Sequence, residues 1–262
     1  MTTTIYCYSA TGNSLTIARA IAEGLGDTQI LPIPRYRTKA AAPRAERVGI
    51  VFPIHAWGAP RTVEEFLQNL DLDGVRYCFA VATCGGTAAG CLLKMRKAIR
   101  KRGGELAAGF IVRSPGYMAG NDRNPMIETV RRLSGRPFPT AEERLPEIIR
   151  HVKNEKHIRP ERNALPGALL GNFFHSKAVP QFARLDSGYE VRASCKSCGT
   201  CTKICPRGNV TLQDGKPSWH HDCDFCGACA TWCPNEAIGF KGMPPAPRRH
   251  NPRVTKEDLL WA

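Results

Sequence analysis

Apolar and polar positions follow two alternating rhythms along the first 160 residues. Compact β-rich runs at residues 3–8, 47–52, 77–82 and 106–112 read as strands, and a weaker run at 29–33 reads as a fifth. Between them the apolar period lengthens to that of a helix. Leu15, Ala18, Ile21, Ala22 and Leu25 share one face, and Val63, Phe66, Leu67 and Leu70 share another. Residues 90–102 continue the alternation, and 141–158 close it with a stripe of Leu145, Ile148, Ile149 and Val152. Strand and helix in turn predict an α/β fold, a doubly wound parallel five-stranded sheet. In such sheets a ligand sits beyond the C-terminal strand ends.

After residue 160 the pattern changes. A connector, 161–188, carries Leu165, Leu169, Leu170, Phe173 and Phe174, too apolar for a free tether, and is expected to pack between two domains. In 189–241, Val210, Thr211 and Leu212 read as a short strand with Asp214 and Gly215 as its turn. The tail, 242–262, holds Pro244, Pro245, Pro247 and Pro252. It is expected to wrap a domain in extended form, with a last helical turn in 256–261.

Three loops follow predicted strands at the ligand-binding edge. The first is Ser9, Ala10, Thr11, Gly12, Asn13 and Ser14. Its hydroxyls and N–H groups suit a phosphate, Gly12 lets the backbone approach, and the following helix N-terminus favours an anion. It lacks the Gly-Lys-Ser/Thr of an ATP loop, and no G-x-G-x-x-G dinucleotide fingerprint occurs in the chain, which disfavours ATP and NAD. The second is Pro53, Ile54, His55, Ala56, Trp57 and Gly58, continuing to Pro60. The third is Thr83, Cys84, Gly85 and Gly86, ending at Thr87.

The most specific pattern is a near-duplicate. Cys195, Cys198, Cys201 and Cys205, then Cys223, Cys226, Cys229 and Cys233, each form C-x2-C-x2-C-x3-C followed by proline. Two-residue gaps let one loop place three thiolates on three iron corners of a 4Fe-4S cubane, and the fourth ligand comes from elsewhere. A zinc site built from CxxC pairs has no use for the third cysteine or the duplicated tail. A disulfide framework from eight cysteines would allow 105 connectivities in an oxidising compartment. Two 4Fe-4S clusters account for every position of both runs. Cys7, Cys78 and Cys91 fall on strand or helix faces and are expected in the core.

The second half resembles a bacterial-type two-cluster ferredoxin, a small α+β domain. That resemblance implies crossed ligation, with the cysteine before each proline serving the other cluster. One cluster would then take Cys195, Cys198, Cys201 and Cys233, and the other Cys223, Cys226, Cys229 and Cys205. The Ser-x-Thr-Gly-Asn-Ser loop resembles the FMN-phosphate loop of flavodoxins, and the loops at Pro53 and Thr83 fall where that family holds the isoalloxazine ring. The whole order is similar to flavodoxin-ferredoxin fusions, which share pieces such as residues 214–219, Trp232 and the closing 248–252. In the flavin half Trp57 either stacks on the ring or seals the sheet edge, and His55 stands beside it. Cys84 either offers its backbone N–H or is a small buried residue. Tyr117 either covers the flavin or lies on the surface.

Net charge is +14, and its excess sits in residues 1–160, with 24 Lys/Arg against 14 Asp/Glu; 186–241 hold six of each. Flavodoxins are usually acidic. Positive charge near the ring would make the flavin a milder donor. Lys94, Arg96, Lys97, Arg100, Lys101 and Arg102 read as a solvated helix side, and no nucleic-acid motif accompanies them. A basic surface suits an acidic redox partner instead. No stretch approaches the roughly 18 apolar residues of a membrane span, and the start has no signal-peptide pattern. Twelve cysteines then fit metal ligation in a reducing cytoplasm. The leading expectation is an electron-transfer protein. The rivals are a flavin-dependent reductase of a small organic substrate, with His55 or Tyr117 as proton donor, and a redox-sensing regulator.

Overall fold

The computed structural model describes residues 1–114, 125–242 and 250–260. Its elements run β1 (Thr3–Cys7), α1 (Asn13–Leu25), β2 (Thr28–Pro32), β3 (Arg47–Pro53), α2 (Arg61–Asn69), β4 (Tyr77–Cys84), α3 (Cys91–Lys101), β5 (Ala108–Arg113), α4 (Pro125–Leu133), α5 (Ala141–Lys153) and α6 (Leu165–Phe182). Then follow β6 (Tyr189–Val191), α7 (Thr200–Ile204), β7 (Val210–Gln213), β8 (Lys216–Trp219), α8 (Ala228–Thr231) and β9 (Ile238–Phe240).

The first five strands pair in parallel in the order β2-β1-β3-β4-β5. This is the strand order of the flavodoxin-like doubly wound fold, with its switch point between β1 and β3. Successive side chains face opposite layers. On β4, Cys78, Ala80 and Ala82 join the core under α2 and α3. Tyr77, Phe79 and Val81 join the core under α1 and α5. Both faces are therefore buried, which is why these strands read as apolar runs.

Helix α5 begins at a capping box of Thr140 and Glu143 and ends at Lys153, before the predicted 158, because Glu155 turns left-handed at φ 48°. Helix α4 is amphipathic but has no counterpart among the elements expected from the sequence. Helix α6 is the connector. Its inward side packs on the β3 and β4 loops, whereas Leu165, Leu169 and Phe173 stay exposed along its outer side.

The last third forms two small antiparallel ribbons, β6 with β9 and β7 with β8, around α7 and α8. Ile204, Cys226, Ala228, Trp232, Val254 and Leu259 belong to the same buried cluster as α1 and α5. The tail ends in a single 3-10 turn at Glu257–Leu259. No helix among the described residues is long and apolar enough to cross a membrane.

Candidate metal centre and flavin site

Parallel register delivers the three predicted loops to one edge. Ile54 N donates to the Thr83 carbonyl at 2.8 Å, and the Ser14 and Thr83 hydroxyls lie 3.0 Å apart. In the first loop Gly12 N donates to Ser9 Oγ at 3.1 Å. Helix α1 starts there with no side-chain cap and no acidic residue in its first turn. Its positive end thus faces a ring of hydroxyls without a competing carboxylate, a donor set that fits a phosphate. A cleft lined by Ser9, Arg19 and Arg35 opens beside it.

The β3 loop is held from above. His175 of α6 lies 3.1 Å from the Ala56 carbonyl and 3.4 Å from Glu64 Oε1. A Cβ on Gly58 would come within 2.2 Å of the His175 ring, so only glycine admits this approach. Trp57 is buried against Phe174, with ring centroids 5.8 Å apart, and its Nε1 donates to Thr87 at 2.9 Å. It seals the loop to α6 in this arrangement. Burial lowers the pKa of His55 despite opposing contacts from Asp224, so its ring favours the neutral form. Burial pushes the Cys84 thiol up to about 12, as fits a small buried residue. Cys7, Cys78 and Cys91 are buried in the two cores. Tyr117 lies outside the described residues.

The two cysteine runs share one backbone path at a spacing of 28. Left-handed φ values recur at Ser197 and Phe225, at Gly199 and Gly227, and at Gly208 and Glu236. Asn209 N donates to Cys205 Sγ, and Ala237 N to Cys233 Sγ, both at 3.3 Å. Phe225 N donates to Cys223 Sγ at 3.1 Å. Burial pushes the Cys223, Cys226 and Cys229 thiols up, Cys223 to about 12, and the neighbouring Cys205 pushes each further. Burial raises Cys201 to about 11, with smaller additions from Cys198 and Cys233. Cys205 thus acts on the thiols of the second run and Cys233 on Cys201 of the first, and backbone N–H groups point at Cys205, Cys223 and Cys233 as they would at thiolate ligands. Among the described residues no three His, Cys, Asp or Glu side chains converge on a single-ion site; cubane ligands stand further apart, each on its own iron.

Tyr8, Asp224 and Arg207, to which the sequence assigns no role, join the two halves together with Trp232. Tyr8, at the end of β1, donates to Asp224 Oδ2 at 3.1 Å. Arg207 contacts Asp222 at 2.6 Å and Glu65 of α2 at 3.0 Å, and lies 3.8 Å from Asp224. Burial works against the Arg207 charge, but the hydrogen bonds it donates to Asp222 and Glu65 outweigh it and hold the guanidinium charged. Trp232 Nε1 donates to the Ala10 carbonyl at 2.8 Å and stacks on His250 at 4.3 Å. The sequence did carry a signal for these residues, in the positions where the two runs differ. Asp224 stands opposite Lys196, Arg207 opposite Asn235 and Trp232 opposite Ile204, and each departure faces the α/β layer or its phosphate loop.

The tail clasps the phosphate loop. Asn251 N donates to the Thr11 carbonyl at 2.8 Å, and Asn251 Nδ2 to Asn13 Oδ1 at 3.1 Å. Gly12 has φ 95°, and a Cβ there would lie 2.9 Å from that of Val254. Gly12→Ala should therefore strain the loop and push the tail away, at about 1–3 kcal/mol. Urea unfolding curves check this, and an unshifted midpoint would show that the clasp contributes nothing.

Residues 194–238 match the family described as 4Fe-4S dicluster domain. No curated protein matches the chain. Among solved structures it is similar to the NAD(P)H:quinone oxidoreductase from Methanothermobacter marburgensis, at 13% identity and TM-score 0.39 over 60% of this chain and 96% of that one. It is also similar to an FMN-dependent NADH-azoreductase from Bacillus anthracis in complex with FMN, at 13% identity and TM-score 0.37 over 58% of this chain and 99% of that one. Likenesses this distant add nothing to the fold, which rests on the strand order. Strand order and family match together define a flavodoxin-like α/β layer joined to an iron-sulfur domain of the 4Fe-4S dicluster type. Its role is redox, in electron transfer.

Proposed function

We propose that the chain is an electron carrier holding FMN and two 4Fe-4S clusters, and that it relays electrons to or from an external, acidic redox protein. Ser9 to Ser14 would hold the phosphate, and the loops at Pro53 and Thr83 would border the ring. One cluster would take Cys195, Cys198, Cys201 and Cys233, the other Cys223, Cys226, Cys229 and Cys205. When bound, FMN supplies a two-electron carrier and each cluster a one-electron carrier.

The observation that carries this reading is the shared wall between the sites. Tyr8, two residues before Ala10 of the phosphate loop, bonds Asp224 inside the second cysteine run, and Trp232 of that run bonds Ala10 itself. Electron tunnelling falls steeply with distance, and these contacts join the phosphate-loop strand directly to the second cysteine run. At the far end Cys198 is exposed, whereas Cys226 and Cys229 are buried, which leaves the Cys198 side as the exit toward a partner.

Anaerobically prepared protein should hold about eight iron, eight sulfide and one FMN, and take up about four electrons per chain. Stopped-flow mixing with NADPH should give no rapid reduction, because the chain lacks a dinucleotide fingerprint. Mixing with a reduced acidic ferredoxin should reduce it, more slowly as salt rises past a Debye length of about 10 Å at 0.1 M. Zinc in place of iron, or fast reduction by NADPH alone, would overturn the reading.

A further inference from the structure

We propose that the buried Asp224 carboxylate, offset in part by the Tyr8 hydroxyl that meets it beside Cys226, lowers the reduction potential of the cluster nearer the flavin layer and holds it the more reducing of the two. The proposal rests on the electron-carrier reading and assigns these side chains a positioning role toward the cluster of Cys205, Cys223, Cys226 and Cys229.

Asp224 is buried, 3% exposed, and lies between two cysteines of that set. Its Oδ2 accepts from Tyr8, but its Oδ1 has no hydrogen-bond partner and only the Arg207 guanidinium at 3.8 Å. A buried negative charge is thus only partly offset where an added electron would reside. Tyr8, 0% exposed, donates to Asp224 two residues before Cys226. The same position in the first run is Lys196, which is exposed. Only one of the two cluster loops therefore carries a buried carboxylate.

Reduction adds a negative charge to the cluster. A nearby fixed anion opposes it, more so at low dielectric, and a hydrogen-bond donor favours it. Tyr8→Phe removes the donor to Asp224 and leaves that carboxylate less offset, so the potential should fall. Asp224→Asn removes the charge at constant shape, so the potential should rise. Opposite signs from two neighbouring substitutions are not produced by general loosening. With the inner cluster the more reducing, electrons run outward to the cluster at the exposed Cys198.

The test is a spectroelectrochemical titration of anaerobic holoprotein, followed by electron paramagnetic resonance, for the unaltered chain, Tyr8→Phe and Asp224→Asn. Cys205→Ser, which should lose the inner cluster, identifies its midpoint. The expected result is one midpoint moving down with Tyr8→Phe and up with Asp224→Asn while the other midpoint holds still. If all iron is present and neither midpoint moves, both move together, or the two variants shift in the same direction, the proposal fails and the carrier reading stands. If the unaltered chain lacks eight iron, it is the carrier reading that fails. Should Asp224→Asn lose iron, the downward shift with Tyr8→Phe alone decides.

Discussion

Cys205→Ser should yield a protein with about four iron atoms in place of about eight. The missing cluster should be the one bordered by Cys223, Cys226 and Cys229, downstream of the substitution. Cys205 belongs to the first run in sequence, yet its sulfur adds to the upward shift of all three thiols of the second. Three thiolates leave one iron corner without a protein ligand, and the Cys205 position, supported by the N–H of Asn209, has no substitute nearby. Iron analysis and electron paramagnetic resonance separate the outcomes. Loss of the cluster at Cys195, Cys198 and Cys201 instead would mean that each run is self-contained.

Arg207→Ala should cost the protein a large part of its stability. The Arg207 side chain is 2% exposed and binds Asp222 twice, at 2.6 and 2.8 Å, and Glu65 at 3.0 and 3.1 Å. Burial raises the Glu65 and Asp222 carboxyls, but hydrogen bonds from Arg207 outweigh it and leave both below the usual range. Removing one partner of a buried ion pair typically costs about 3–5 kcal/mol, and the lower end applies here because Glu65 and Asp222 stay partly hydrated. Asp224, at 1% exposure of its side chain, would be left with only its hydrogen bond from Tyr8. Arg207→Lys keeps the charge but not the fork, and should fall between. The readouts are the urea midpoint of the holoprotein and limited proteolysis between the two halves. An unchanged midpoint for Arg207→Ala would show that apolar contacts alone hold the halves together.

The sequence and the structure agree where physics is local. The strand runs of β1, β3, β4 and β5 were legible because both faces of a parallel sheet are buried, and α1, α2 and α3 because each shows one apolar stripe. Residues 125–133 escaped although their helix is amphipathic, because its nine residues offer little more than two turns of pattern. The connector's apolar character was legible, but a helix apolar on nearly all sides gives no direction, so its packing on Trp57 and Gly58 was not. The end of α5 was misplaced by five residues, since a left-handed Glu155 is not marked by glycine.

By itself the amino-acid sequence determined the alternation of strands and helices, the phosphate-type loop after β1, and two cysteine runs whose spacing is set by the covalent reach of thiolates around a cubane. Each of these depends on residues within a few positions of one another. The tertiary structure alone decided what lies against what: the Asn251 clasp on Thr11, the Arg207 fork between Glu65 and Asp222, and Tyr8 beside Asp224, partners separated by 216 positions. Pairings at that separation depend on how two independently patterned halves meet, and a charge, a hydroxyl or an indole N–H is neutral in sequence until burial leaves it in need of a partner.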